Sequence, residues 1–153
     1  MNKKYYIAYG SNLNMAQMKF RCPDAVPCAQ GLINGWRLVF RGSKTGSYAS
    51  IVKSDSDCVP VGIWEISERD EAALDRYEGY PVFYTKEIVK LRSGGKEREA
   101  LVYIINKDAK PGIPSNRYVK TCLQGYKDFA LPVEKWDEAI QRNLKECKRR
   151  KHY

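Results

Sequence analysis

In the stretch Lys4-Tyr5-Tyr6-Ile7-Ala8-Tyr9-Gly10-Ser11-Asn12-Leu13, an aromatic and β-branched run stops abruptly at Gly-Ser-Asn. Tyrosine and isoleucine suit a pleated, half-buried surface, so the run predicts a buried strand. Glycine tolerates φ > 0, and Ser and Asn side chains bond nearby main chain, so the strand must end in a tight turn after Tyr9. Asn14 to Phe20 then carries Met15, Ala16 and Met18 at helix-compatible spacing, with Asn12 or Asn14 placed to cap the first turn. Strand, loop and helix N-terminus thus follow one another. Free N–H groups at such a junction, with a helix dipole behind them, suit a carboxylate or an oxyanion. An ordinary strand-to-helix turn would carry the same residues.

The 153 residues fit one domain, expected over 1–153 with a basic tail at about 145–153, and suffice for a sizeable core. A hydrophobic content of 43% with 29% charged residues is that of a globular protein. No apolar run approaches a bilayer span and no apolar leader opens the chain, so a soluble cytoplasmic protein without a membrane partner is expected. Cys22, Cys28, Cys58, Cys122 and Cys147 are odd in number and form no C-x-x-C pair, which predicts free thiols and no zinc ribbon.

The single histidine, His152, is penultimate. Cys–His and Ser–His catalytic pairs in the body of the fold are thereby set aside, as are histidine-based metal sites. Carboxylates and tyrosines are left as the acid/base groups. The net charge of +9 is drawn in large part from Lys145 to Tyr153, which holds five Lys and Arg against one Glu. Such a terminus could touch nucleic acid or another polyanion, but a solvated helix end whose cations suit the dipole is the better account, and no nucleic-acid partner is expected.

Along the chain, Pro23 and Pro27 bracket a connection, and Ala29 to Ile33 and Trp36 to Arg41 read as two strands joined in a hairpin by Asn34-Gly35. Gly42 to Tyr48 reads as a loop, followed by strands at Ala49 to Lys53 and Val59 to Ile66 around a turn at Asp55-Ser56-Asp57. Ser67 with Asp70 approximates a capping box for a helix that Gly79 and Pro81 close. Tyr84 to Leu91 and Glu97 to Ile105 form a second hairpin about Ser93-Gly94-Gly95. After a loop from Asn106 to Pro114, Ser115 caps a helix with a Val119, Leu123 and Tyr126 stripe. Pro132 suits the first position of a last helix, striped by Trp136, Ile140, Leu144 and Cys147.

Within Leu74-Asp75-Arg76-Tyr77-Glu78-Gly79-Tyr80-Pro81, Glu78 falls in the last turn of a helix, where the dipole disfavours a carboxylate and raises its pKa. A raised carboxyl pKa suits acid/base work near neutral pH, and the nearby tyrosines could shield it. A solvated glutamate at a frayed helix end is the bland alternative.

With these landmarks together the chain resembles the γ-glutamylcyclotransferase, or AIG2-like, family. Tyr9 to Leu13 matches its Tyr-Gly-Ser-Asn-Leu signature, Glu78-Gly79 its Glu-Gly step with Tyr84 shortly after, and Pro114-Ser115-Asn116-Arg117-Tyr118 a Pro-Ser-x-x-Tyr element. The agreement in order and spacing runs from Tyr5 to Pro132. The resemblance implies an α+β fold, a small mixed β-barrel flanked by helices, in which loop and glutamate share a cavity. It implies an enzyme that closes the γ-glutamyl part of a γ-glutamyl compound to 5-oxoproline and releases the amine.

The substrate's own α-amine is then the nucleophile, so neither a cofactor nor a metal is expected, and the missing histidine ceases to be a puzzle. Glu78 would carry the proton, and N–H groups of Gly10, Ser11 and Asn12, with Leu13 as a further donor, would hold a carboxylate or oxyanion. Tyr9, Tyr84 and Tyr118 would line the cavity; Tyr6, Tyr77 and Tyr80 carry no comparable warrant. Leaving-group specificity is expected in loops such as Gly42 to Tyr48 and Asn106 to Ile113. The competing readings are a catalytically weak relative serving as a small-molecule binding or interaction module, and a polyanion binder acting through the basic tail. Which γ-glutamyl compound is used, and the oligomeric state, are not written in these motifs.

Overall fold

The computed structural model describes residues 3–43 and 46–150. Strand β1 (Lys4–Ala8) leads through a 3-10 turn (Ser11–Leu13) into helix α1 (Met15–Arg21). Strands β2 (Val26–Ser43) and β3 (Gly46–Ile66) follow, then helix α2 (Glu68–Glu78) and strands β4 (Tyr84–Ser93) and β5 (Lys96–Ile105). A two-residue strand β6 (Lys110–Pro111) and helices α3 (Asn116–Asp128) and α4 (Glu134–Arg150) complete the order.

The strands form one six-stranded sheet in the order β4-β5-β1-β3-β2-β6. It is mixed, because β1 runs parallel to β5 and antiparallel to β3. The sheet curls into a half-barrel: β2 and β4 lie far apart in strand order, yet a methyl placed on Gly31 would sit 3.9 Å from the Arg92 carbonyl oxygen. Strands of 18 and 21 residues, well beyond the usual length, can follow such curvature only by bending. The bend is visible at Asn34-Gly35, which is not the predicted hairpin. β2 runs straight through it, and the register jumps from Asn34 opposite Cys58 to Trp36 opposite Lys53. Gly35 has φ 84°, which a bulge uses as readily as a hairpin turn does. The chain reversal lies instead between Ser43 and Gly46, which pair with each other. Residues 44 and 45 of the predicted loop lie outside the described residues.

The second predicted hairpin does form, with Gly94 and Gly95 at φ 59° and 77° between fully paired strands. Ser67 accepts from the Asp70 N–H while Asp70 accepts from the Ser67 N–H, a complete capping box, and Gly79 ends α2 at φ 65°. Asn14, rather than Asn12, caps α1 by accepting from the Gln17 N–H. Ser115 caps α3 by accepting from the Tyr118 N–H.

Two helix details differ from expectation. α4 starts at Glu134, so Pro132 precedes the helix, and its inward face holds Ala139 and Asn143 beside Trp136. α3 buries Cys122, Gly125 and Tyr126, with Val119 and Leu123 only partly covered. Gly125 lets α3 lie directly on the turn that follows β1, since a methyl there would meet the Asn14 nitrogen and the Leu13 carbonyl carbon at 2.5 Å. Residues 145–150 continue α4, whereas 151–153, including His152, lie outside the described residues. Among the described residues no helix is long and apolar enough to cross a membrane, and the five cysteines are free.

Candidate active site

β1 runs from the surface into the core: Lys4 is exposed, whereas Tyr6, Ile7, Ala8 and, just after the strand, Tyr9 are all buried. The chain turns at Gly10, whose φ is −131°, so its missing side chain matters for space and not for handedness. A methyl on Gly10 would lie 3.0 Å from the Tyr118 hydroxyl and 3.2 Å from Ala49 Cβ. In the following 3-10 turn the Leu13 N–H donates to the Gly10 carbonyl at 3.1 Å, while the first N–H groups of such a turn have no partner inside it. The Leu13 side chain is fully buried between β3 and α3, where methyls on Gly62 or Gly125 would collide with it. Leu13 therefore belongs to the core, and its N–H is already engaged.

Asn12 is buried and is the hub of the site. Its Nδ2 donates to the Tyr6 hydroxyl at 2.8 Å and to Glu78 Oε1 at 3.3 Å. Its Oδ1 accepts from Arg21 Nη1, and its main-chain carbonyl accepts from Trp64 Nε1 at 2.9 Å. Glu78 ends α2 and points its carboxyl among these groups. Burial pushes its pKa up to about 7, against the opposing pull of the Arg21 guanidinium and the Asn12 amide. A carboxyl near half-protonation at neutral pH can both accept and return a proton.

Tyr9, Tyr84 and Tyr118 complete the walls, the last two converging on Ala49 of β3 and Tyr9 bonding β5. Tyr84 donates to the Ala49 carbonyl at 3.0 Å, Tyr118 accepts from the Ala49 N–H at 3.0 Å, and Tyr9 donates to the Tyr103 carbonyl at 2.7 Å. Burial raises the pKa of all three, so they stay neutral hydroxyls. These walls enclose a cavity of about 230 Å³. Seven of the eight residues picked out from the motifs line it: Tyr9, Gly10, Ser11, Asn12, Glu78, Tyr84 and Tyr118. Leu13 is the exception.

Tyr6, Tyr48, Tyr77, Phe83 and Tyr103 also line the cavity. The motifs named none of these five, although Tyr6 and Tyr77 each sit within a few residues of one and Tyr48 ends the segment expected to set leaving-group specificity. The Tyr77 hydroxyl lies 3.3 Å from Ser11 Oγ. From the start of β3, Tyr48 reaches the cavity and packs edge-on against Tyr118 at 5.3 Å and Phe83 at 6.0 Å.

A family model described as gamma-glutamyl cyclotransferase, AIG2-like, matches residues 6–120. The chain belongs to that family. The gamma-glutamylcyclotransferase of Mus musculus is 32% identical over 139 residues, covering 84% of this chain and 73% of the mouse protein. That of Homo sapiens is 30% identical with the same coverage. A solved gamma-glutamyl cyclotransferase structure superposes with a TM-score of 0.81 at 28% identity, over 92% of this chain and 87% of the other. The cyclotransferase match contains all three landmark motifs, and the half-barrel is the architecture that the family resemblance implied.

Proposed function

We propose that this chain cyclises the γ-glutamyl part of a γ-glutamyl amino acid or amine to 5-oxoproline, with Glu78 as the proton carrier. The observation that carries the reading is the shared cavity: the Glu78 carboxyl is one hydrogen bond from Asn12, inside the same hollow as Gly10 and Ser11. In this reading the N–H groups of Gly10, Ser11 and Asn12 face the substrate carboxylate or the oxyanion that develops on the γ-carbonyl. The Glu78 carboxylate takes a proton from the α-ammonium; the freed amine attacks the γ-carbonyl carbon and forms the ring C–N bond. Collapse of the tetrahedral intermediate breaks the original amide C–N bond as Glu78 returns its proton to the departing nitrogen; Glu78 then takes the second proton from the ring nitrogen and passes it to the released amine, leaving a neutral lactam and an ammonium. No water is consumed, so a cavity walled by aromatic rings favours cyclisation over hydrolysis. Tyr6, whose oxygen accepts from Asn12, keeps its own proton for a substrate acceptor.

The test is a panel of γ-glutamyl dipeptides, γ-glutamylamines and a γ-glutamyl isopeptide of lysine, with 5-oxoproline measured by mass spectrometry and α-glutamyl compounds as controls. Product from at least one γ-glutamyl compound and none from the controls is expected; no product from any would overturn the proposal. Because the ionised form of Glu78 starts the reaction, kcat/KM should fall with acidification on a limb centred near pH 7, about tenfold per unit below it. A limb centred near pH 4.5, the ordinary glutamate value, would show that burial does not hold the Glu78 proton as this reading requires.

A further inference from the structure

Arg21 lies in the last turn of α1, where a cation suits the helix dipole. Three contacts hold its guanidinium. Its carbon sits 3.4 Å from the centroid of the Tyr77 ring, Nη1 donates to Asn12 Oδ1, and Nη2 reaches Gln17 Oε1 at 3.4 Å. It thus spans the two segments that make the site, the turn after β1 and the last turn of α2.

An asparagine amide can present either its oxygen or its nitrogen to a neighbour. With Oδ1 taken by a permanent cation, Nδ2 must face Tyr6 and Glu78, as observed. We infer that Arg21 is a positioning residue for the cyclotransferase site: it locks the Asn12 amide so that its donors point at the Glu78 carboxylate and the Tyr6 hydroxyl, and it clamps Tyr77 beside them. The groups packed about Glu78 are Tyr6 from β1, Tyr9 just after it, Asn12 from the turn, Arg21 from α1, Tyr77 from α2 and Tyr84 from β4. Arg21 brings the single formal charge in that set. Without it, the amide is free to rotate and offer Oδ1 to a protonated Glu78, which favours the acid over the base.

The inference rests on Glu78 being the proton carrier, so its test reads Glu78 directly. The carboxyl of Glu78 is titrated by carbon NMR in the substrate-free wild type, Arg21→Met, Arg21→Lys, Asn12→Ala and the Arg21→Met/Asn12→Ala double variant, with kcat/KM profiles alongside and thermal melts to confirm folding. In Arg21→Met the midpoint is expected to rise by about one unit or more, with the acid limb of kcat/KM following it. Arg21→Lys restores a charge without the planar fork, so it recovers only part of the shift. With Asn12 already removed, Arg21→Met should move the midpoint less than it does alone. An unmoved midpoint in folded Arg21→Met, equal shifts with and without Asn12, or a lysine variant indistinguishable from wild type would each overturn the inference. If Glu78→Gln kept its turnover while Arg21→Met still moved the midpoint, the catalytic role of Glu78 would fall and the positioning by Arg21 would stand.

Discussion

Glu78→Gln is expected to lower kcat for 5-oxoproline release by at least ~100-fold while leaving the fold intact. Gln keeps the shape of the side chain and an oxygen to accept from Asn12 Nδ2, now 3.3 Å from Glu78 Oε1, so the local hydrogen bonding survives. It cannot take a proton from the α-ammonium or return one to the leaving nitrogen. The same substitution should stabilise the protein above neutral pH. The folded pKa of Glu78 is about 7 against an ordinary value of 4.5, so the folded state holds its proton where the unfolded chain has already released it. Below pH 4.5 both states are protonated and the group costs nothing. From pH 4.5 to about 7 the unfolded chain gives up the proton while the folded one keeps it, so stability is lost across that window, and above 7 the loss is complete. The uncharged variant avoids that loss, about 3 kcal/mol at pH 8 on this shift, and should show no advantage near pH 4. Melts of both proteins across pH check the sign: a variant less stable than wild type at pH 8, or one that retains turnover, would count against a buried proton-carrying acid.

Gly125→Ala should destabilise the protein by about 1–3 kcal/mol and reduce kcat/KM, although alanine is the better helix former by roughly 1 kcal/mol. The helical gain is outweighed because the new methyl would lie 2.5 Å from the Asn14 nitrogen, the Leu13 carbonyl carbon and Leu13 Cβ. Two of these are main-chain atoms of the turn that follows β1, which no rotamer change can move. Either α3 lifts from the turn or the turn shifts toward the cavity that Gly10, Ser11 and Asn12 line. Displacing such donors by about 1 Å can cost on the order of 100-fold in rate. The turn is pinned on its other side as well, since a methyl on Gly62 would meet Leu13 Cδ2 and the Phe129 ring at 2.8 Å. Urea unfolding and steady-state kinetics of Gly125→Ala decide the matter; a variant with a higher midpoint and unchanged kcat/KM would show that this contact does not hold the site.

Several elements were legible because their chemistry is local. The capping box of Ser67 and Asp70, the Ser115 cap and the Gly94-Gly95 hairpin each need only residues within a few positions of one another. Asn34-Gly35 shows where local chemistry runs out. The same dipeptide serves a hairpin turn or a bulge, and which one forms depends on whether the partner strand continues past it, as β3 does. The signature motif was read correctly as a turn, but with Leu13 as a donor; the 3-10 bond to the Gly10 carbonyl and the packing of Gly62 and Gly125 place it in the core. For Glu78, the helix end suggested the direction of the pKa shift, while its main cause is burial by residues remote in sequence.

By itself the sequence determined the strand-turn-helix opening, the helix that ends on Glu78 and, through its three spaced motifs, the cyclotransferase family. These follow from backbone preferences and short-range capping, which act before any distant contact forms. Only the tertiary structure decided that Tyr6, Tyr77 and Arg21 belong beside Asn12 and Glu78, and that Gly10 is required by the Tyr118 hydroxyl and not by its own backbone angle. Those relations depend on how far the sheet curls and how closely α3 approaches it, distances set by packing between segments that hold no information about each other in sequence.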